Sequence, residues 1–287
     1  MFISEYSNTN RRTQWILLVC VLLISFTALA FEVNLIRILS VLLSYHYVFM
    51  VVSLAVLGLG TGGVFVYLFR RRELDSPAVF KSFGIFPSLF ALSIPFSLLL
   101  TIFIASLQNS LGQIFWYCLL MFIPFFLVGI FLAELFRTFP TLSSRIYGMD
   151  LIGAAVGSIG VVHILNILGG INSSLLLALI AATAALITAI AIHGKQLRGV
   201  TISVPRKFTI VSFVVVVCLF GTNIIGSHLP DVPVGTNPDK QIYSPMHETS
   251  YQGEIIETRW SAFGRTDLIA SSQEPGVMGV FIDGTAG

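Results

Sequence analysis

The sequence predicts a mainly α-helical, multi-pass membrane protein: a transmembrane helical bundle of about seven spans, followed by a short β-rich segment outside the bilayer. Three observations carry this. Hydrophobic residues make up 55% of the 287 residues and charged residues only 10%, with a mean hydropathy of +0.90. Soluble domains carry about 25% charged residues, so this chain has too little polar surface to cover itself in water. Apolar runs long enough to cross a hydrocarbon core recur along residues 1–227, and after His228 the composition changes abruptly.

A crossing helix needs about 20 apolar residues to span a core roughly 30 Å thick. Runs of that kind cover Trp15–Ile36, His46–Phe69, Phe83–Ser106, Gly112–Leu135, Gly148–Leu168, Ile171–His193 and Phe208–Ile225. Arg11 and Arg12 ahead of the first run resemble the start of a signal peptide. No small-residue cleavage site precedes Glu32 and more spans follow, so an uncleaved first span is expected. Pro87, Pro95 and Pro124 fall inside the third and fourth runs, where neighbouring groups must take up the freed carbonyls and kinks are expected. Only Gly169–Gly170 separates the fifth run from the sixth, which predicts a tight turn between antiparallel helices.

Charge placement predicts the orientation. Arg11 and Arg12 precede the first span, Arg70, Arg71, Arg72 and Lys81 follow the second, Arg137 and Arg145 follow the fourth, and Lys195, Arg198, Arg206 and Lys207 follow the sixth. The alternate loops, near Ser44, Asn109 and Gly170, carry no Lys or Arg. This pattern predicts a cytoplasmic N-terminus and, with seven spans, a C-terminal segment on the opposite side, as in a bacterial inner membrane. Residues 1–227 hold 13 Lys/Arg against 6 Asp/Glu, whereas residues 228–287 hold 3 against 8. An acidic tail argues against a nucleic-acid partner; the bilayer is the expected one.

The organisation expected is therefore a transmembrane domain over 1–227, a Pro-rich linker over 228–250 and a β-hairpin segment over 251–287. Pro230, Pro233, Pro238 and Pro245 keep the linker from sustaining a helix. Strand character marks Gly253–Arg259, Arg265–Ala270 and Val277–Asp283, a small meander. The chain stops just after an apolar strand, an unusual place for a domain to end, which suggests a truncated domain.

Several motifs need a bland reading beside a functional one. Gly58, Gly60 and Gly63 match a dinucleotide-binding spacing, but they lie in one unbroken apolar run. Close helix packing is the better reading there, as it is for Gly153 and Gly157 on the fifth span. Such Gly-rich faces are also where a homo-oligomer would form. Cys20, Cys118 and Cys218 are dispersed among apolar neighbours and read as packing residues; no metal constellation is visible. The intramembrane polar candidates are Glu32 and Arg37 near the end of the first span, Asp150 at the start of the fifth, and His163 within it. Ionisable groups in a span are expensive and mark bundle interiors or pathways. Asp150 is expected to meet the positive end of a helix dipole, His163 to be buried without an obvious partner, and Glu134 to pair with Arg137 three residues on. These groups motivate an alternative function, a transporter or export component for a small cationic solute. Glu254 and Glu257 are expected on opposite faces of their strand, so they do not form a carboxylate pair.

One set of residues carries a family resemblance. Phe31-Glu32 with Arg37, the Gly-Leu-Gly of the second span, and Tyr147-Gly148-Met149-Asp150-Leu151-Ile152-Gly153 opening the fifth resemble the membrane-embedded spermidine synthase-like proteins, which join a multi-span region to a polyamine aminopropyltransferase domain. The tail is similar to the first β-hairpins of that domain, with Tyr251-Gln252, then Phe263-Gly264, then Phe281-Ile282-Asp283-Gly284 in order. The resemblance implies a transferase of polyamine biosynthesis that moves an aminopropyl group from decarboxylated S-adenosylmethionine to a diamine, with Gln252 helping to hold the donor. It implies no cofactor in this chain and no catalytic residue, because the family's Gly-rich donor loop and catalytic aspartate lie further on. Residues 1–287 alone are then expected to be inactive.

Overall fold

The computed structural model describes residues 11–43, 48–69, 77–107, 112–192, 196–197, 200–201, 205–247, 253–261, 263–271 and 278–286. Six helices are long and apolar enough to cross a membrane: α1 (Arg11–Leu42), α2 (Val48–Phe69), α3 (Pro77–Ser106), α4 (Gly112–Thr138), α5 (Ser143–Ile192) and α6 (Arg206–Gly226). A 3-10 turn, Pro140–Leu142, joins α4 to α5. Two short paired strands, β1 (Gln196–Leu197) and β2 (Val200–Thr201), lie between α5 and α6.

The 50 residues of α5 would reach about 75 Å at 1.5 Å per residue, far more than one crossing. The helix does not run straight. Gly169 has φ 72°, ψ 177°, a conformation that breaks the helical path and that glycine adopts without steric cost. Contacts with α1 show what the break does. Gly153 and Gly157 face Leu22 and Phe26, Gly170 faces Ile38, and Ala184 lies beside Cys20. The chain thus climbs along α1, turns at Gly169–Gly170 and descends along α1 again. The merged helix is a hairpin of two span-length halves, so the described residues carry seven apolar helical segments, matching the hydropathy pattern.

Close approach is achieved by omitting side chains. A Cβ on Gly153 would fall on the carbonyl oxygen of Leu22, and one on Gly157 on that of Phe26. On the other side of the bundle, a Cβ at Gly62 would stand 2.6 Å from Ile130 N and Phe126 O, and one at Gly129 2.5 Å from Leu59 O. Gly58 and Gly62 therefore seat α2 on α4, with Gly129 opposite them. Gly60 and Gly63 have no such neighbour. Phe31 stacks on Phe125 with ring centroids 6.2 Å apart, tying α1 to α4. α3 and α4 continue through their prolines as single helices. Ser88 and Ser93 donate to the carbonyls of Gly84 and Phe90 in the turns around Pro87 and Pro95. All three cysteines are free.

The two ends of the bundle differ. Arg11 and Arg12 begin α1, Arg137 and Arg145 flank the α4–α5 junction, and Arg206 and Lys207 begin α6. All of these lie at the end away from the Gly169–Gly170 turn. α6 finishes at the turn end, where Asn223 Nδ2 donates to Asn172 Oδ1 at 2.7 Å. Its last residues are capped by Ser227 in the left-handed region, whose N–H reaches Asn223 O at 2.8 Å. Asn223 Oδ1 then accepts the N–H of Leu229 at 2.8 Å and turns the chain back over the bundle.

The linker is more than a spacer. Val232 and Ile242 are buried, and Leu229 and Val234 pack on the bundle core. A single helical turn, α7 (Tyr243–His247), is all the helix its prolines allow. The sheet has the order β3-β4-β5-β6, with β3 at Gly253–Trp260, β4 at Arg265–Ser271, β5 at Met278–Ile282 and β6 at Thr285–Ala286, all antiparallel. β5 and β6 are joined by Asp283 (φ 49°) and Gly284 (φ 79°), the pair of positive φ values that a two-residue hairpin turn of matching twist requires. The inner face, with Ile255, Ile269 and Phe281, packs on Ile242 and Met246 from the linker. Met278, Val280 and Ile282 on the other face are exposed.

Candidate functional site

The residues with the most specific chemistry gather where the sheet meets the turn end of the bundle. Asn34, fully buried in α1, donates from Nδ2 to Gly170 O at 2.9 Å and to Ser174 Oγ at 2.6 Å. Gly170 O also accepts from Ser174 Oγ at 3.2 Å, so the first turn of the descending half of α5 is tied to α1 through Asn34. Above it lies the indole of Trp260, 3.1 Å from where a Cβ at Gly169 or Gly170 would stand. A side chain at either position would need the indole to shift by a few tenths of an ångström, and at Gly169 would also meet the strain of a positive φ.

Two cations fix the sheet in place. Arg37 donates from Nη1 to Phe263 O at 3.2 Å. Lys240, only 7% exposed, donates from Nζ to Ser40 O in the last turn of α1 and to Asp283 O in the β5–β6 turn, both at 2.7 Å. Next to it, Ile242 N donates to Gly284 O at 3.0 Å. Burial lowers the Lys240 pKa from its ordinary value, and the negative charge of Asp283 partly offsets that. Between the lowered value and the ordinary one, the unfolded chain holds more protons than the folded chain, so this group's contribution to stability rises with pH. Lys240→Met is expected to cost about 2 kcal/mol by leaving two buried carbonyls unpaired. It should also flatten the pH dependence of the unfolding midpoint in the alkaline range, and thermal scans of detergent-solubilised protein across pH check both effects.

Within the sheet the centre is Arg265, 3% exposed. Its Nε donates to Asp267 Oδ1 at 2.9 Å, its Nη1 to Val232 O at 2.7 Å and its Nη2 to Thr258 Oγ1 at 3.3 Å. Asp231 stands 3.3 Å from Nη1, and the guanidinium lies 5.7 Å from the centroid of the Trp260 ring. Asp267 is fully buried and also accepts from Thr258 Oγ1 at 2.7 Å. The Phe263-Gly264 and Asp283-Gly284 turns meet at the foot of this network. Arg265 N donates to Asp283 Oδ1 at 2.8 Å, and a Cβ on Gly264 would stand 2.7 Å from the Asp283 carboxylate. The two short motifs quoted from the tail are therefore in contact.

The intramembrane candidates are held apart. Asp150 is not at the start of a helix: α5 begins at Ser143, two turns earlier, so the dipole argument fails. It accepts instead from Ser25 Oγ at 2.5 Å, a cross-link between α1 and α5. His163 is exposed on the outer face of α5, against expectation, with only Ile159 O at 3.5 Å as a neighbour on its own helix. The span is apolar all round, so composition gave no sign of which face it turns inward. Glu32 is half-buried, and no hydrogen bond or ion pair joins it to Arg37 among the described residues. Glu134 pairs with Arg137 at 3.3 Å as the spacing predicts. Gln252 lies outside the described residues.

In the sheet, one expectation is reversed. A bulge at Ile256 sets Glu254 opposite Ala270 and Glu257 opposite Leu268, so the two glutamates share the exposed face. Glu257 is paired there with Arg259 at 2.7 Å. Sequence reasoning also missed Lys240 and the Arg265–Asp267 pair. The i, i+2 spacing of Arg265 and Asp267 on one strand face was the available signal. Among the described residues no group of three or more His, Cys, Asp or Glu side chains could hold a metal ion. No family model matches the chain, and no relative was found among curated proteins or solved structures.

Proposed function

We propose that this chain is the membrane-embedded part of a spermidine synthase-like protein, in which the bundle anchors and orients the first β-hairpins of an aminopropyltransferase-like domain. The observation that carries the reading is the contact between the Phe263-Gly264 and Asp283-Gly284 turns, in which the Asp283 carboxylate lies against Gly264 and accepts the N–H of Arg265. Those are the two tail motifs on which the resemblance rests. The Lys240, Arg37 and Trp260 contacts support a fixed rather than tethered sheet.

In the complete protein, the reaction is displacement at carbon. A neutral amine of the diamine attacks the aminopropyl carbon bonded to the sulfonium of decarboxylated S-adenosylmethionine. The carbon–sulfur bond breaks, its electrons stay on sulfur to give a neutral thioether, and the amine loses a proton to a carboxylate. Positioning and charge placement supply the catalysis. This chain contributes the platform, and Gln252 would contact the donor.

Orientation is read from charge and stands apart from the transferase reading, because adenosyl donors are cytoplasmic metabolites whereas the charges put the tail outside. The basic residues at the far end from the Gly169–Gly170 turn support a cytoplasmic N-terminus in a bacterial inner membrane, with the sheet on the opposite side. Reporter fusions at Gly287 are expected to be active only outside the cytoplasm. The complete gene product, given decarboxylated S-adenosylmethionine and a diamine on the sheet's side, is expected to release the 5′-thioether nucleoside. A folded, inserted protein that releases none would overturn the transferase reading and leave the topology standing.

A further inference from the structure

We propose that the tip of the β3–β4 hairpin, led by the Phe263 ring, inserts into the lipid–water boundary around the bundle and is a second membrane contact of the chain. The inference rests on the membrane reading of the helices and is independent of the transferase reading.

The sheet stands on its turns. Trp260 seats on Gly169 and Gly170, Phe263 O is held by Arg37, and the Asp283–Gly284 turn is held by Lys240 to the last turn of α1. These partners are the ends of membrane-crossing helices, so the hairpin tip lies at the level where the spans leave the hydrocarbon. Arg37 itself lies on the partly exposed side of α1 with Val33 and Ile36, at the edge of the bundle rather than at its centre. An arginine there reaches outward along the helix to the headgroup layer. Its guanidinium ends on the backbone of the residue whose ring is 86% exposed.

A bare phenylalanine on a water-facing loop gains nothing, whereas at a membrane boundary its ring has an apolar neighbour on one side. Other large aromatics cluster at the same end of the bundle. Phe49 opens α2 with 75% exposure, and Phe115 and Trp116 lie in the first turns of α4 with 65% and 49%. Phe263 adds a ring to that belt from the soluble side. The occupant is therefore the bilayer already bathing these helices.

Spin labels distinguish the outcomes. Phe263→Cys in a background lacking Cys20, Cys118 and Cys218 is labelled in nanodiscs, with Met278→Cys at the far end of the sheet for comparison. Relative to the label at 278, the one at 263 is expected to collide severalfold more with oxygen than with a water-soluble nickel chelate. Equal, water-like behaviour at both positions would overturn the proposal, as would a label at 263 shielded from both agents, which would mean protein cover. Phe263→Trp provides a second reading on an intact fold: its added emission should be quenched by lipids brominated near the headgroup, and unquenched emission would count against insertion.

Discussion

Gly157→Leu is expected to destroy the folded bundle. The closest atoms to the missing side chain are backbone atoms of Phe26, which cannot rotate away. A leucine must therefore separate α1 from the ascending half of α5, and with it break the Ser25–Asp150 bond about two turns below on α5. Overpacking of a flexible core costs about 1–3 kcal/mol. Against main chain on both sides the cost should exceed about 3 kcal/mol, with little monodisperse protein recovered from detergent. Gly60→Ala is the contrasting substitution. It introduces a Cβ with nothing within 4 Å, so size-exclusion profile and unfolding midpoint should stay unchanged or improve slightly.

Arg265→Met is expected to release the sheet while leaving the helices intact. Asp267 would stay behind as a buried carboxylate with Thr258 as its donor, and the carbonyl of Val232 would lose the Arg265 guanidinium. Removing one member of a buried ion pair typically costs about 3–5 kcal/mol. That exceeds what four short strands and Ile242, Ile269 and Phe281 can absorb. Limited proteolysis should cut the 228–247 segment at least about 100-fold faster, since each 1.4 kcal/mol is tenfold. Arg265→Met combined with Asp267→Leu should recover much of the protection, because a well-packed apolar pair can replace a buried ionic one. Failure of the double variant to recover would show that the Val232 and Thr258 contacts, rather than the charge pair, hold the sheet.

The parts of this fold that were legible are those set by one segment at a time. A run such as Phe208–Ile225 declares a crossing by its length and composition, whatever its neighbours do. The Gly153/Gly157 spacing declares a close-packing face because removing two side chains on one helical face has few other uses. The short strands were legible from β-branched residues and their bounding turns. What remained hidden depends on distant partners or on phase. Lys240 lies in a Pro-rich stretch, and one of its acceptors is a main-chain carbonyl 200 residues away, with nothing in that residue's identity to announce it. Glu254 and Glu257 were misassigned because one bulged residue at Ile256 inverts strand parity. His163 was misassigned because an all-apolar helix does not reveal its inward face, and Asp150 because α5 starts in the polar stretch Ser143–Ser144–Arg145, before the apolar run begins.

The Gly169–Gly170 turn also constrains biosynthesis. With no loop between them, the two halves of α5 are contiguous in sequence, so the hairpin and its apex are made before α6 and the sheet. Trp260 is synthesised long after that apex has been delivered across the bilayer. The seat it occupies is therefore vacant throughout translation of α6, and the sheet can close over it only after β3 and β4 have been made.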